Sequence, residues 1–330
     1  MKGERIRTVT ASMIRAWKSC RRRFWFSYIE QLRPRVAARP LTFGRVVHDL
    51  LADYLRGRDL PTSHEAFREL YASEEEWRLA LEEMGPQKAL IAVESWGEWV
   101  MYDALLQGMD VLDVEVEFKV NCGYAKRLAG KMDGLARLRV SGREVLAILE
   151  HKTASNPDDN YLHRLLWDDQ ATAYIYAARE MGLDVEGILY NIIPKCPLKP
   201  YSATPEEKRK YRKDGKLYAN QREEDETEDE YLQRVRKWYA EHAKQFTAHL
   251  VYRNAKQLQR KREEFEAVIR DMKAAEREET YYPNPGACRI LSCPFEGICL
   301  EDTPEAREGG YVNKTKQHEE LDRDGEEQQW

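Results

Sequence analysis

Between Gly130 and Lys152, two runs rich in Leu, Val and Ile, 132–140 and 143–152, are separated by the dipeptide Ser141-Gly142. Ser-Gly is a turn signal, so the spacing predicts two antiparallel strands joined by a tight hairpin. In such a hairpin, positions whose numbers sum to 283 face each other, which sets Asp133 opposite Glu150. Strand side chains alternate, so Lys152 projects from the same face as Glu150. Two facing carboxylates repel at a cost of roughly 0.2–1 kcal/mol, more when buried. A chain that needed only a stable hairpin would gain by changing one of them, whereas a bound divalent cation removes the repulsion.

Around this hairpin the pattern is helical first and mixed afterwards. Thr10 or Ser12 can cap a helix reaching about Ile29, with Trp17, Cys20, Phe24 and Tyr28 along one stripe and Lys18, Arg21, Arg22 and Arg23 crowded beside Cys20. That cluster reads either as a solvated face or as a contact for a nucleic-acid backbone. Residues 41–56 predict a second helix packed through Val47, Leu51 and Leu55, in which Gly44 lies one turn before His48. Residues 62–108 predict helices carrying Trp77, Trp96, Trp99 and Tyr102, broken near Gly85-Pro86. Residues 111–120 alternate as a half-buried strand does, with Glu115 expected on its solvated face and an approach to a bound metal as the alternative.

Beyond the hairpin, Tyr161 to Met181 predicts one helix with Gln170 and Tyr174 on a common face, and Val185 to Ile193 a further strand. The helix is then a crossover within an α/β core. Residues 196–230 pass from a basic run (Lys208 to Lys216) to an acidic one (Glu223 to Glu230), the pattern of a mobile charged insertion. Helices are expected at about Glu228–Gln245 and Asn254–Arg277, with a short strand between them near Leu250–Arg253. The chain thus divides into a helical region at 1–110, a core at 111–195, the insertion at 196–230, helices with a cysteine-rich segment at 231–300, and a tail at 301–330.

Net charge is −5 over 330 residues, but the tail holds ten acidic against four basic residues and is expected to be disordered. The remaining body is near neutral at +1, which is compatible with binding DNA through local basic patches. No apolar run is long enough to span a membrane, and no apolar segment follows Met1-Lys2-Gly3-Glu4-Arg5, so an intracellular location is expected. Of six cysteines, Cys288, Cys293 and Cys299 fall close together in a C-x4-C-x5-C pattern. In an intracellular chain that spacing points to a metal site needing a fourth thiolate, for which Cys20 is the candidate.

The order of these pieces resembles the RecB-like branch of the PD-(D/E)XK nuclease superfamily: Gly44-x-x-x-His48, then Met132-Asp133 where the family often has Pro-Asp, then Glu150-His151-Lys152 as E-x-K, then Gln170-x-x-x-Tyr174. Cys20 followed by the three late cysteines is similar to the iron-sulfur staple of AddB-type and CRISPR-associated relatives, although C-x2-C-x5-C is the usual spacing there. The resemblance implies an α/β, restriction-endonuclease-like core with a central mixed sheet, flanking helices and a helical cap. It implies that His48, Asp133, Glu150 and the His151 carbonyl hold Mg2+ or Mn2+. Lys152 would orient or deprotonate water, its pKa lowered beside the cation, while Gln170 and Tyr174 position the strand and Arg21 and Arg22 meet the DNA backbone. Cys20, Cys288, Cys293 and Cys299 would hold a [4Fe-4S] cluster, with zinc as the alternative.

No P-loop is present, so a separate helicase or recombination protein, or a single-stranded substrate, is implied. The expected activity is that of a metal-dependent DNA exonuclease on single-stranded or unwound DNA in recombination, repair or phage DNA processing. Its place would be the cytoplasm, at the nucleoid or in a phage's host. The rival is a non-catalytic DNA-binding or scaffold subunit of a nuclease-helicase complex, whose signature would be a broken ligand set; His48, Asp133, Glu150 and Lys152 are all present.

Overall fold

The computed structural model describes residues 7–35, 39–65, 85–123, 126–291, 293–301 and 303–314. The expected helix around Trp77 and the last part of the tail lie outside them. The architecture is a mixed six-stranded sheet with helices on both faces, as expected of a restriction-endonuclease-like fold.

The hairpin is its centre. Strands β4 (Arg127–Val140) and β5 (Arg143–Ala154) pair antiparallel from Val140↔Arg143 to Gly134↔Leu149, every pair summing to 283. Ser141 and Gly142 both take positive φ, 49° and 79°, as a two-residue hairpin turn matching the strand twist requires. On its other edge β4 pairs antiparallel with β3 (Asp110–Asn121). On the β5 side, its first residues pair in parallel with β1 (Thr8–Val9). β5 continues in parallel to β6 (Gly187–Pro194), all eight residues of which are buried, and β6 pairs antiparallel with β7 (Thr247–Tyr252). One edge of β4 is therefore shared by two strands, β1 at one end and β5 at the other, with a gap between them.

The N-terminal helix is shorter than its hydrophobic stripe suggests. Thr10 caps α1 (Ala11–Ser19), but Cys20 is extended (φ −160°, ψ 118°), and a second helix, α2 (Arg21–Phe24), starts after it and widens into a π-helix over Trp25–Ile29. Trp17, Phe24 and Tyr28 remain buried on one face, so the stripe was right about burial and wrong about continuity. The strand β2 (Leu32–Pro34) follows, then α3 (Arg39–Leu55) and α4 (Gly85–Val100), the latter opened by the Gly-Pro pair that was expected to break a helix. α3 packs against α4, β3 and β5, burying Val46, Val47, Leu50 and Leu51.

The predicted helix at 161–181 is also two: α5 (Asp159–Leu165) and α6 (Asp169–Glu180). The break comes from Asp168, which is extended and whose Oδ1 accepts the Gln170 N–H at 2.9 Å, capping α6 from within the charged run. α7 (Glu228–Glu241) and the long α8 (Ala255–Glu278) both begin with capping boxes, at Thr227/Glu230 and Asn254/Gln257.

Two further expectations are corrected. The charged insertion is pinned rather than free: Glu226 is buried and accepts two hydrogen bonds from Arg234 (2.6 and 2.7 Å), whose guanidinium stacks over Tyr201. Part of the acidic tail is ordered as well. After α9 (Pro285–Leu291) and α10 (Glu296–Glu301), the chain forms α11 (Pro304–Gly310) and β8 (Tyr311–Asn313), and β8 pairs antiparallel with β2. The two ends of the fold are thus joined by backbone hydrogen bonds. Among the described residues no helix is long and apolar enough to cross a membrane.

Candidate active site

The gap on the edge of β4 opens because the hairpin ladder stops one pair early. Where Asp133 would pair with Glu150, the Asp133 carboxylate instead accepts the His151 backbone N–H at 2.6 Å. The side chain satisfies a donor that β4 no longer reaches, and β5 parts from β4. The resulting cavity, about 620 Å³, has β4 residues 129–131 and 133 as its floor. His48, Glu150, Lys152, Gln170 and Tyr174 also line it, so the structure gathers the residues expected at the metal and the strand.

Glu150 and Lys152 share a face, with Nζ and Oε1 2.5 Å apart. Gln170, at the start of α6, bridges them, accepting from Lys152 Nζ at 3.2 Å and donating to Glu150 Oε1 at 2.9 Å. Tyr174, one turn on, packs edge-on against Phe118. His48 reaches in from α3, its Nδ1 3.4 Å from Asp133 Oδ2. Gly44, one turn earlier, faces the sheet: a Cβ there would lie 3.3 Å from Thr153 Oγ1, so the glycine lets α3 approach β5 closely.

Two carboxylates, an imidazole and an ammonium group share the site and shift one another. Burial lifts the Glu150 carboxyl to about 7, helped by Asp133 and resisted by Lys152. Asp133, half-buried, is desolvated too, but His48 and the His151 N–H more than offset this and hold it well below the usual carboxylate range. His48 is raised to about 8, because Asp133 and Glu150 outweigh its desolvation. Lys152 departs from expectation. Desolvation pulls it down, but Glu150, Asp168 and Asp133 leave it above its ordinary value, so a depressed pKa would require the cation's charge to be present. Glu150 Oε2 is buried and has no hydrogen-bond partner. An orphaned carboxylate oxygen beside Asp133 and an imidazole nitrogen fits a hard divalent cation such as Mg2+ or Mn2+. Among the described residues, however, no group of three or more His, Cys, Asp or Glu stands in ready-made metal geometry.

His151 projects to the opposite face. Trp96 Nε1 donates to Asn191 Oδ1 at 2.6 Å, so the Asn191 amide N–H donates to His151 Nδ1 at 2.8 Å and the ring proton sits on Nε2. Burial holds this ring near a pKa of about 4. Its Nε2 is buried without a hydrogen-bond partner and its ring lies edge-on to His48 at 6.0 Å, while its backbone N–H is held by Asp133.

Arg21 and Arg22 do not line the cavity. Arg21 pairs with Asp271 at 2.5 Å and lies over Trp17 and Tyr282; Arg22 lies over Trp25 and Phe26. Lys18 and Arg21 therefore tie α1 and α2 to α8, and Arg21 also reaches the late segment at Tyr282. Near it, Asn284 N donates to Cys20 Sγ at 3.3 Å. Burial raises the Cys293 and Cys299 thiols, and both feel Cys20 and Cys288, so the four cysteines expected to act together are neighbours.

Glu115, for which a solvated face was the leading expectation and an approach to the metal the alternative, lines the cavity with left-handed backbone (φ 59°) and an ion pair to Lys131. Other residues at the cavity escaped sequence reasoning. Arg45 and Lys195 add positive charge to the wall. Lys195 was findable: it follows β6, the parallel neighbour of β5, and sites in such sheets gather at the carboxyl ends of parallel strands.

The mixed sheet thus brings buried Glu150 and half-buried Asp133 and Lys152 together at a break in a hairpin. Residues 8–300 match the PD-(D/E)XK nuclease superfamily, and the chain belongs to it. No curated protein matches the chain.

Proposed function

We propose that the chain is a divalent-metal-dependent exonuclease acting on single-stranded or unwound DNA, in recombination, repair or phage DNA processing. The observation that carries the reading is the buried, unpartnered Glu150 Oε2 in a cavity shared with Asp133, His48 and Lys152. His48, Asp133 and Glu150, with the His151 carbonyl, would hold Mg2+ or Mn2+, which supplies the positive charge that phosphodiester hydrolysis needs at the phosphate. Lys152, kept protonated by three carboxylates, acts as a donor that orients the attacking water and offsets charge developing on the phosphate oxygens. Gln170 holds Lys152 and Glu150 in register, and Tyr174, whose hydroxyl burial keeps protonated, offers an O–H to the strand.

The same reading places a [4Fe-4S] cluster, or zinc, on Cys20, Cys288, Cys293 and Cys299, as reinforcement where α2 meets the late helices. A helicase or recombination protein would supply unwound DNA.

Digestion of end-labelled DNA, single- and double-stranded, linear and circular, with Mg2+ or Mn2+ tests the activity. Linear single strands should be degraded and circles spared. Cutting of circles would make the enzyme an endonuclease, and inertness toward every form would remove the nuclease reading.

A further inference from the structure

The turn between α5 and α6 presents an aromatic ring that the fold does not use. Trp167 is 79 % exposed, yet its backbone is fixed: its N–H donates to Arg164 O at 3.0 Å, and the Asp168 N–H donates to Leu165 O at 3.2 Å. Buried Arg253 clamps the same turn, donating to Leu166 O at 2.8 Å and to Thr172 Oγ1 at 2.9 Å. An indole held out on a pinned turn leaves its apolar face in water, and it needs little further ordering to receive a flat partner.

Beside the ring is a recess of about 330 Å³ lined by Arg15, Tyr161, Arg164 and Trp167, with Asp168 and Asp169. Both carboxylates are already matched. Asp169 pairs with Lys18 and Lys261, each at 2.5 Å, while Asp168 accepts from Tyr190 and lies 3.6 Å from Arg15. Asp169 is thus neutralised by two lysines and Asp168 shares Arg15, so the exposed Arg15 and Arg164 leave the recess with a surplus of positive charge from Arg164. Arg15 also joins the recess to the cavity, since its Nη2 lies 3.4 Å from Gln170 Oε1, and Gln170 touches Lys152 and Glu150.

We infer that Trp167, Arg15 and Arg164 form a subsite for an unpaired nucleotide of the strand being cut, the base stacking on the indole and the two arginines meeting its phosphates. The assignment rests on the nuclease reading of the neighbouring cavity and deepens it by naming the residues that hold an unpaired base of the strand. Stacking on an aromatic platform tolerates every base but requires an open base face, which a paired duplex withholds. An aromatic ring flanked by arginines beside a phosphodiester site is the combination that recognises such a strand.

The test is binding of a fluorescent oligonucleotide to Lys152→Ala protein, in which cleavage is silenced, with and without Trp167→Ala or Trp167→Phe. Trp167→Ala should weaken single-stranded binding about ten-fold and leave duplex binding unchanged, while Trp167→Phe keeps most of the affinity. An abasic residue walked along the oligonucleotide should weaken the parent at one position and cost the Trp167→Ala protein nothing more there. Equal affinity of the parent and Trp167→Ala, or an abasic penalty identical in both, would overturn the subsite. Failure of the nuclease reading looks different: the wild-type chain would cleave no DNA, whereas failure of the subsite alone leaves wild-type cleavage undiminished by Trp167→Ala.

Discussion

Glu150 is held between two demands, with one oxygen on Lys152 and Gln170 and the other buried without a partner. Removing the charge should relieve the apo protein and disable it: Glu150→Gln is expected to melt no lower than wild type and to lose the rise in midpoint that Mg2+ gives the wild type. Equal Mg2+ stabilisation of both proteins would refute the assigned ligand. The pH dependence follows from the same residues. Glu150 at about 7 and His48 at about 8 both keep protons to higher pH when folded than their ordinary values of 4.5 and 6.5 allow. The stability each contributes is full below its ordinary value and is lost as pH rises through the folded one. His151, depressed to about 4, works oppositely and costs stability only as pH falls below its ordinary 6.5. A cation must displace the Glu150 and His48 protons, so its affinity should rise across the same interval. Melts with and without Mg2+, from about pH 6 to about pH 9, should show a metal-induced shift that grows with pH; a flat or shrinking shift would contradict these protonation states.

At the scale of elements, the hairpin turn makes a prediction independent of chemistry. Ser141 occupies left-handed backbone at φ 49°, where Asn is better tolerated, so Ser141→Asn should stabilise the fold by about 0.5–1 kcal/mol in denaturant titrations. A loss of stability would mean that the turn geometry is wrong. Conversely, a Cβ at Gly187 would come within 2.8 Å of the Val251 carbonyl oxygen across the β6–β7 pair, and Gly187→Ala should cost about 1–3 kcal/mol. The hairpin was legible because a turn dipeptide and two apolar runs fix a register by themselves, and with it the positions of Asp133, Glu150 and Lys152. The interruptions at Cys20 and Asp168 were not. Both lie inside runs whose apolar periodicity continues through the break, and Asp168 looks like any charged helix residue until its carboxylate is seen capping Gln170 N. Missing that break also hid Trp167. Asn191 was equally unreadable, since its role behind the site depends on Trp96 and His151, distant from it in sequence.

Across the whole molecule, the surprise is how the ends meet. An acidic composition suggested a disordered tail, but Tyr311–Asn313 completes a two-stranded sheet with Leu32–Pro34, and the Tyr311 ring stacks on Phe295, itself stacked on Phe26. Composition reports average charge and misses three residues with a strand to pair. The four neighbouring cysteines lie at this junction, and a cluster there would close a loop of nearly the whole chain. Anaerobically purified protein should be brown with the broad visible absorbance of an iron-sulfur cluster, and Cys20→Ala should lose the colour, whereas Cys122→Ala and Cys196→Ala keep it. Colourless protein carrying one zinc would select the zinc alternative.

If Asp133, Glu150 and Lys152 hydrolyse phosphodiester bonds with a divalent cation, labelled nucleotide should be released from single-stranded DNA at a rate set by these residues and the metal. Wild-type protein with Mn2+ should degrade the strand, chelator should stop it, and Asp133→Ala, Glu150→Ala or Lys152→Ala should each slow it by on the order of 10²-fold or more. Undiminished cleavage by folded Glu150→Ala protein would contradict the account.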